Sequence, residues 1–549
     1  MTLTERVAAQ AEHRRWWILL VLNVSLLVIV LDNSILNVAI PSIVRELDAS
    51  NSELQWMVDS YTIVFAGLLL TAGSLGDRFG RRPALQLGLV LFGLGSLASA
   101  LAGSAGELIA TRAFMGIGGA FIMPATLSII TNVFPARERA KAIGIWAATA
   151  GVAVALGPLT GGFLLEHFYW GSIFLVNLPI VVLGLIAGVF LIPDSKDPSA
   201  PRLDPIGAVL SIAGLSTLLY AIIEGPDKGW TADSTLLFFA VGGVLLAAFF
   251  WWESHTDHPM LDLSFFKNPR FSVASGAIAV TFFAMFGSIF VLTQYLQFVL
   301  GYTPLETGFR LLAFAIPMMI LAPTSAKLVE HLGAKPVVAT GLLLITTGLL
   351  LSLGLDQTSS YGAVAWRMVI MASGMALTMA PATDSIMGSL PLAKAGVGSA
   401  VNDTTRQIGG AVGVAVVGSV FASIYSSQVA DSFAVSGLPS AAVDQAKDSV
   451  GAALAIAAKV PSIGGELAEA ARSAFVDGFH AGLYVGAGVA LVGAIAVILW
   501  LPSRARREDI DRQHDEYEAE RYRAPAGKQG PDGKTPEAER AEPIPSPGA

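Results

Sequence analysis

Apolar residues in this chain come in separate runs of about 18 to 25, divided by short polar turns. Each run is long enough to cross ~30 Å of hydrocarbon as a helix rising ~1.5 Å per residue. Backbone facing lipid must satisfy its own hydrogen bonds, so such runs fold as helices. The pattern predicts spans near 16–38, 56–75, 84–102, 107–130, 141–165, 170–192, 206–224, 234–252, 271–299, 307–328, 336–354, 364–388, 396–424 and 476–500, about fourteen in all. Two stretches break the rhythm. Residues 425–475 read as a long loop whose short apolar pieces, such as SVGAALAIAAKV, suit surface helices. Residues 501–549 are rich in charge and proline, and predict a disordered tail.

Composition agrees. Of 549 residues, 54% are hydrophobic and only 14% charged, with mean hydropathy +0.63; a soluble domain carries roughly 25% charged residues. The predicted class is an all-α integral membrane protein. The absence of Cys excludes a disulfide framework, a thiol nucleophile and cysteine-ligated metal. Glu5 and Glu12 dilute the basic start, and the following apolar run is long for a signal core, so the first run reads as a retained span.

The cations set an orientation. Alternate turns hold Arg14 and Arg15; Arg78, Arg81 and Arg82; Arg137, Arg139 and Lys141; Lys196 and Arg202; Lys267 and Arg270; Lys327 and Lys335; Lys394; and Arg504, Arg506 and Arg507. The opposite short turns hold Arg45, Lys228 and little else. Positive charge marks the cytoplasmic side, which places both termini inside. The 425–475 loop then lies outside. GKQGPDGKT in the tail has the wrong glycine spacing for a phosphate-binding loop and no preceding strand, so no ATPase module is expected. His255 and His258, in a turn without convergent ligands, do not predict a metal site.

The turn GSLGDRFGRRP, Gly73 to Pro83, combines glycines for a tight helix-to-helix connection with Asp77. That carboxylate can meet the N-terminus of a neighbouring helix or a basic residue. DRFGRRP, Asp77 to Pro83, aligns without gaps to EHLGAKP, Glu330 to Pro336, so acid, glycine, base and proline fall in register, although Ala334 replaces an arginine. Two related halves are what a parallel-repeat transporter would show.

GSLGDRFGRRP resembles the signature loop of the major facilitator superfamily of secondary transporters. LDNSILNVAIPSI (Leu31 to Ile43), RAFMGIGGAFIMPA (Arg112 to Ala125) and GVAVALGPLTGG (Gly151 to Gly162) resemble the first-, fourth- and fifth-span motifs of its fourteen-span drug:proton antiporter branch. EGPDKGW and VNDTTRQIGG also look like branch features. The resemblance implies a cytoplasmic N-tail (1–15), an N-terminal six-helix bundle (16–192), a linker with two extra transmembrane helices (193–270), a C-terminal six-helix bundle (271–500) and a cytoplasmic tail (501–549). A substrate site is expected between the bundles, with access alternating by rocking.

Asp32 lies within the first apolar run. A charge at mid-helix costs roughly 2.5–3.5 kcal/mol on insertion scales, so a functional reason is expected. Asp32 sits ~24 Å along a helix from Trp16, and Asn33 and Asn37 share one face beyond it. Arg112 is at similar depth. A nearby arginine favours the ionised carboxylate and burial the neutral one, and a group balanced between them can gain and lose a proton. The resemblance implies that Arg112 takes part in this relay; structural roles for either residue remain alternatives. Asp59, Glu224, Phe286, Gln294 and Tyr295 are further candidates for substrate or ion coupling. Gly73, Asp77, Arg78, Gly80, Arg81 and Arg82 would form the gating loop, and Asp403 with Arg406, three apart, a possible gating pair. Gly157 and Gly161 give a flat face for close helix contact, and Pro158 removes a donor. The run Gly151, Gly157, Pro158, Gly161 and Gly162 resembles the antiporter motif that is thought to seal the pathway.

The expected function is proton-coupled efflux of amphipathic, often cationic drugs or antibiotics across the cell membrane. Protons would be the driving partner, with no cofactor, nucleic acid or ATPase subunit. The alternative is a dedicated exporter of one metabolite, self-made antibiotic or lipid-like molecule. A sensor would carry a folded output domain, and neither tail looks like one. No nucleophile–base or metal constellation suggests an enzyme.

Overall fold

The computed structural model describes residues 3–47, 51–197, 203–434, 438–460 and 462–504, and among these the apolar runs fold as helices with no strand. Among the described residues, thirteen helices are long and apolar enough to cross a membrane. α5 (Ala136–His167) covers the remaining expected span, 141–165.

One group comprises α1 (Leu3–Leu47), α2 (Asn51–Phe79), α3 (Arg81–Ala100), α4 (Ala105–Val133), α5, and the sixth span, split into α6 (Ser172–Leu175) and α7 (Asn177–Leu191). After α8 (Pro205–Lys228) and α9 (Asp233–Glu253), a second group follows. It comprises α10 (Pro269–Gln294), α11 (Pro304–Arg310) running on into α12 (Leu312–Leu332), α13 (Ala334–Ser352), α14 (Tyr361–Met387), α15 (Ala395–Ala434) and, after two short helices, α18 (Gly464–Trp500). Packing within the groups matches pair for pair. α1 packs on α5, α2 on α4, α3 on α4 and α3 on α7. The second group repeats this as α10 on α15, α12 on α14, α13 on α14 and α13 on α18. The groups meet through the crossed pairs α2–α15 and α5–α12. α8 packs on α9 and leans on α2 and α15, while only 17% of the apolar window of α9 is buried, so α9 is the peripheral member. Large apolar side chains point outward on the spans, among them Leu183, Phe190, Val244, Ile320 and Val492. Such a surface requires hydrocarbon as its solvent.

The glycine turn repeats too. Gly80 has φ +118° and Gly333 φ +88°, backbone that favours glycine. The residue after each is held the same way: Arg81 N–H donates to Ser195 O (2.9 Å) and Ala334 N–H to Ser503 O (2.8 Å). In both halves, the chain leaving the last span of the group returns to close the turn between its second and third helices.

The structure narrows the expected 425–475 loop. α15 continues to Ala434 and α18 begins at Gly464; between them lie α16 (Ser440–Asp448) and α17 (Val450–Lys459), packed on these two helices. Forty helical residues in α15 extend ~60 Å, about twice the hydrocarbon thickness. Hydropathy marks where a helix leaves lipid, not where it stops. The expected tail from 505 onward lies outside the described residues.

Candidate functional site

Asp32 is 2% exposed and Arg112 is fully buried. α1 and α4 bring them together as an ion pair, Arg112 Nη1 to Asp32 Oδ2. Every guanidinium nitrogen has a partner: Nε donates to Met57 O (3.1 Å) and Nη2 to Asn33 Oδ1 (3.3 Å). The guanidinium lies 4.5 Å from the Tyr61 ring centre. The other carboxylate oxygen accepts from Asn177 Nδ2 (2.9 Å), which also reaches Ser96 Oγ (3.0 Å). One carboxylate thus joins α1, α3, α4 and α7, inside the first group rather than between the groups.

Sequence reasoning missed Asn177, Ser96 and Tyr61. Asn177 is the only amide in the apolar run 170–192, and that was the available signal. Small polar residues such as Ser96 bond locally in many helices, which hides a longer-range role. The Asn37 side chain lies outside the described residues, as does that of Pro158.

At the end that carries the Gly73–Pro83 turn, Asp77 acts across the two groups. Its Oδ1 accepts from Gly396 N (2.8 Å) and its Oδ2 from Val397 N (3.0 Å), the first turn of α15. Arg81 bonds Asp77 Oδ1 through Nε (3.0 Å) and Nη2 (2.9 Å), and its Nη2 also reaches Leu392 O (2.8 Å) and Ala393 O (3.0 Å). A carboxylate on exposed helix N–H groups is favoured by the dipole and by charge-assisted bonding. Gly73 lets α2 approach; a Cβ there would come within 2.6 Å of Gly396 O. Arg139 to Asp384 (3.4 Å) and Lys394 to Asp197 (3.3 Å) add ion pairs at the same end. Arg82 reaches Ile192 O (3.4 Å), and Arg78 lies over Phe79.

The glycines of α5 face three helices. A Cβ on Gly157 would run into Ser34 of α1, one on Gly151 would meet Met318 of α12, and one on Gly162 would meet Leu305 of α11. Gly161 is buried.

Asp403 (1% exposed) and Arg406 (5%) form a second buried cluster, with Asp403 Oδ1 3.7 Å from Arg406 Nη1. Arg406 Nη2 donates to Thr383 Oγ1 (3.2 Å), Thr383 donates to Asn402 Oδ1 (3.2 Å), and Asn402 Nδ2 donates to Asp403 Oδ1 (3.1 Å). The guanidinium lies 4.7 Å from the Trp146 ring centre and 5.5 Å from that of Phe282. Trp146 belongs to α5 of the first group, so this cluster crosses the interface. Arg406 lies ~15 Å along α15 from Gly396.

The other candidates stand apart. Glu224 pairs with Lys228 (2.9 Å) at the end of α8. Asp59 is half-buried on α2. Tyr295 donates to Asp356 O (2.5 Å) and stacks on Phe479. Gln294 bonds Phe290 O (3.4 Å), and Phe286 is 44% exposed. The partners of these last three lie in the second group, and the structure does not gather them around Asp32. A surface groove of about 440 Å³, lined by Trp230 and Val416 to Ile424 of α15, lies beyond Arg406, toward the far end.

Paired helical groups with buried charge at and beside their interface define a multi-pass membrane transporter rather than an enzyme. The chain belongs to the Major Facilitator Superfamily, whose family model matches residues 22–414. It is 36% identical over 486 residues to the multidrug efflux pump LfrA of Mycolicibacterium smegmatis, covering 88% of this chain and 96% of that one. It is 32% identical over 498 residues to the tetracenomycin C resistance and export protein of Streptomyces glaucescens, covering 89% and 92%. In fold it is similar to the proton:xylose symporter XylE, with TM-score 0.57, 14% identity and coverage of 91% of this chain and 99% of that one.

Proposed function

We propose that the protein exports amphipathic, often cationic compounds across the cell membrane in exchange for protons, with both termini cytoplasmic. The observation that carries this reading is the buried Asp32–Arg112 pair with Asn177 behind it. A carboxylate held this far from water has a reason to be there beyond stability. Asp32 takes up and releases the proton, and Arg112 holds the ionised form. The Asp77–Arg81 contacts to α15 are the cytoplasmic gate, closed in this conformer. The curated relatives named as multidrug efflux and resistance pumps support the substrate class.

A second reading, export of a single compound, is favoured by the relatives named for tetracenomycin C and puromycin resistance. A toxicity panel in a pump-deficient strain, with and without a proton uncoupler, separates the two. Uncoupler-sensitive protection against several unrelated cations is expected. Protection against one compound favours the second reading, and protection that an uncoupler leaves untouched defeats proton coupling.

A further inference from the structure

Two of the buried arginines, Arg112 and Arg406, differ in how well they are held. Arg112 has a partner at each nitrogen. Arg406 carries the same five donors, yet it makes one hydrogen bond, to Thr383, and stands 3.7 Å from Asp403. Its Nε is buried without a hydrogen-bond partner, and Asp403 Oδ2 closes no well-directed bond although the Ser399 hydroxyl lies beside the carboxylate. An under-bonded charge in a low-dielectric place is costly to keep. What surrounds the guanidinium instead is flat and aromatic: Trp146 from one group, Phe282 from the other, and a carboxylate at the edge.

We propose that the Trp146–Phe282–Asp403 cleft is the seat for a flat organic cation, and that Arg406 occupies it as an internal stand-in when no substrate is bound. This rests on the cation-efflux reading above and adds to it a place and a displacement. A planar, delocalised cation offers aromatic faces what a guanidinium offers them. When cargo enters, Arg406 swings off Asp403, and the carboxylate keeps a cation beside it in either state. The cleft crosses the interface between groups that must part, so it is closed only while they touch. Asp32 lies inside one group, so proton and cargo need not compete for one carboxylate.

The test is equilibrium binding of ethidium, a flat aromatic cation, to the purified full-length protein, read by fluorescence. Asp403→Asn is expected to weaken binding about tenfold or more, and Arg406→Gln to tighten it severalfold by removing the competitor. Arg406→Lys, which keeps charge but loses the plane, should fall between wild type and Arg406→Gln. Thermal unfolding checks that each variant folds. If a single variant fails to fold, Asp403→Asn/Arg406→Gln, which removes both charges together, is read instead and should also bind about tenfold less tightly. Wild-type binding that Asp403→Asn or the double variant leaves unchanged, or that a folded Arg406→Gln weakens, overturns the seat and leaves proton-coupled efflux standing. No saturable binding by the wild type overturns the seat and the cation-efflux reading together.

Discussion

Replacing Asp32 with Asn tests stability and coupling at once. The carboxylate accepts from Arg112 on one oxygen and from Asn177 on the other. An asparagine amide can keep the Asn177 bond through its carbonyl, but its NH₂ then faces the Arg112 guanidinium, donor against donor. Arg112 keeps Met57 O and Asn33, yet its charge is uncompensated in a fully buried place. Breaking a buried pair in this way costs about 3–5 kcal/mol. Asp32→Asn should therefore unfold at lower temperature than wild type. Asp32→Asn/Arg112→Gln, with both charges gone, should recover most of that loss. Proton release driven by substrate, followed with a pH-sensitive dye in proteoliposomes, should disappear in both. Stability and coupling thus separate in the double variant. Wild-type proton release from folded Asp32→Asn protein would refute the reasoning, because coupling would then reside in another group.

Three further outcomes are expected. Asp77→Ala removes two bonds from α15 and the Arg81 anchor, each charge-assisted bond contributing about 1.5–3 kcal/mol. Crosslinking between Ser74→Cys and Lys394→Cys, unambiguous in a chain without native cysteine, should fall; unchanged crosslinking would mean that Asp77 does not hold the gate. Gly157→Leu forces a side chain into Ser34, an overpacking worth about 1–3 kcal/mol, and should raise proton leak across liposomes carrying an imposed pH gradient, which an intact seal would not show. Glu224→Gln breaks only the pair with Lys228, whose side chain is 44% exposed while that of Glu224 is 13%, and Gln can keep a hydrogen bond to the ammonium, so drug resistance in cells should stay at wild-type level, and a large loss would make Glu224 part of the transport path.

The chain announces its helices because lipid allows one solution to the backbone, and apolar length is visible in any single run. The Asp32–Arg112 contact was legible for a related reason: two charges at matching depths in separate spans have few other partners. Asn177 was not legible, because an amide acquires its meaning from what it faces, and α7 faces α1 and α3 only after the bundle has formed. Trp146 was legible only as an aromatic on a span expected to line the cavity; its partner appears when α15 brings Arg406 over it. Helix ends were poorly legible too. Outside hydrocarbon, α15 and α18 continue on Ser, Gln, Glu and Ala, which a hydropathy boundary treats as loop.

The halves share a packing plan and a glycine turn but not their charges, and the difference bears on how alternation proceeds. At α2–α15, contact is carried by Asp77 on the first N–H groups of α15, and Arg81, at the start of α3, adds bonds to Leu392 O and Ala393 O just before that helix. The second copy of the turn has Ala334 where the first has Arg81. At the symmetry-related α5–α12 contact, Gly144 lies directly against the backbone of Ala322 and Pro323. Hydrogen bonds to an ionised group weaken steeply with separation and behave as a catch. Close apolar packing resists separation but allows small slides. On the proposed reading, the α2–α15 edge would release and the α5–α12 edge would bear the motion. Asp403 and Arg406 sit on α15, the helix that the catch holds, and Trp146 sits on α5, the bearing. On that reading, opening at the Asp77 end and uncovering the Trp146–Phe282–Asp403 cluster would be one movement, and a change confined to the Asp77 end would alter access to Arg406 ~15 Å away without touching it.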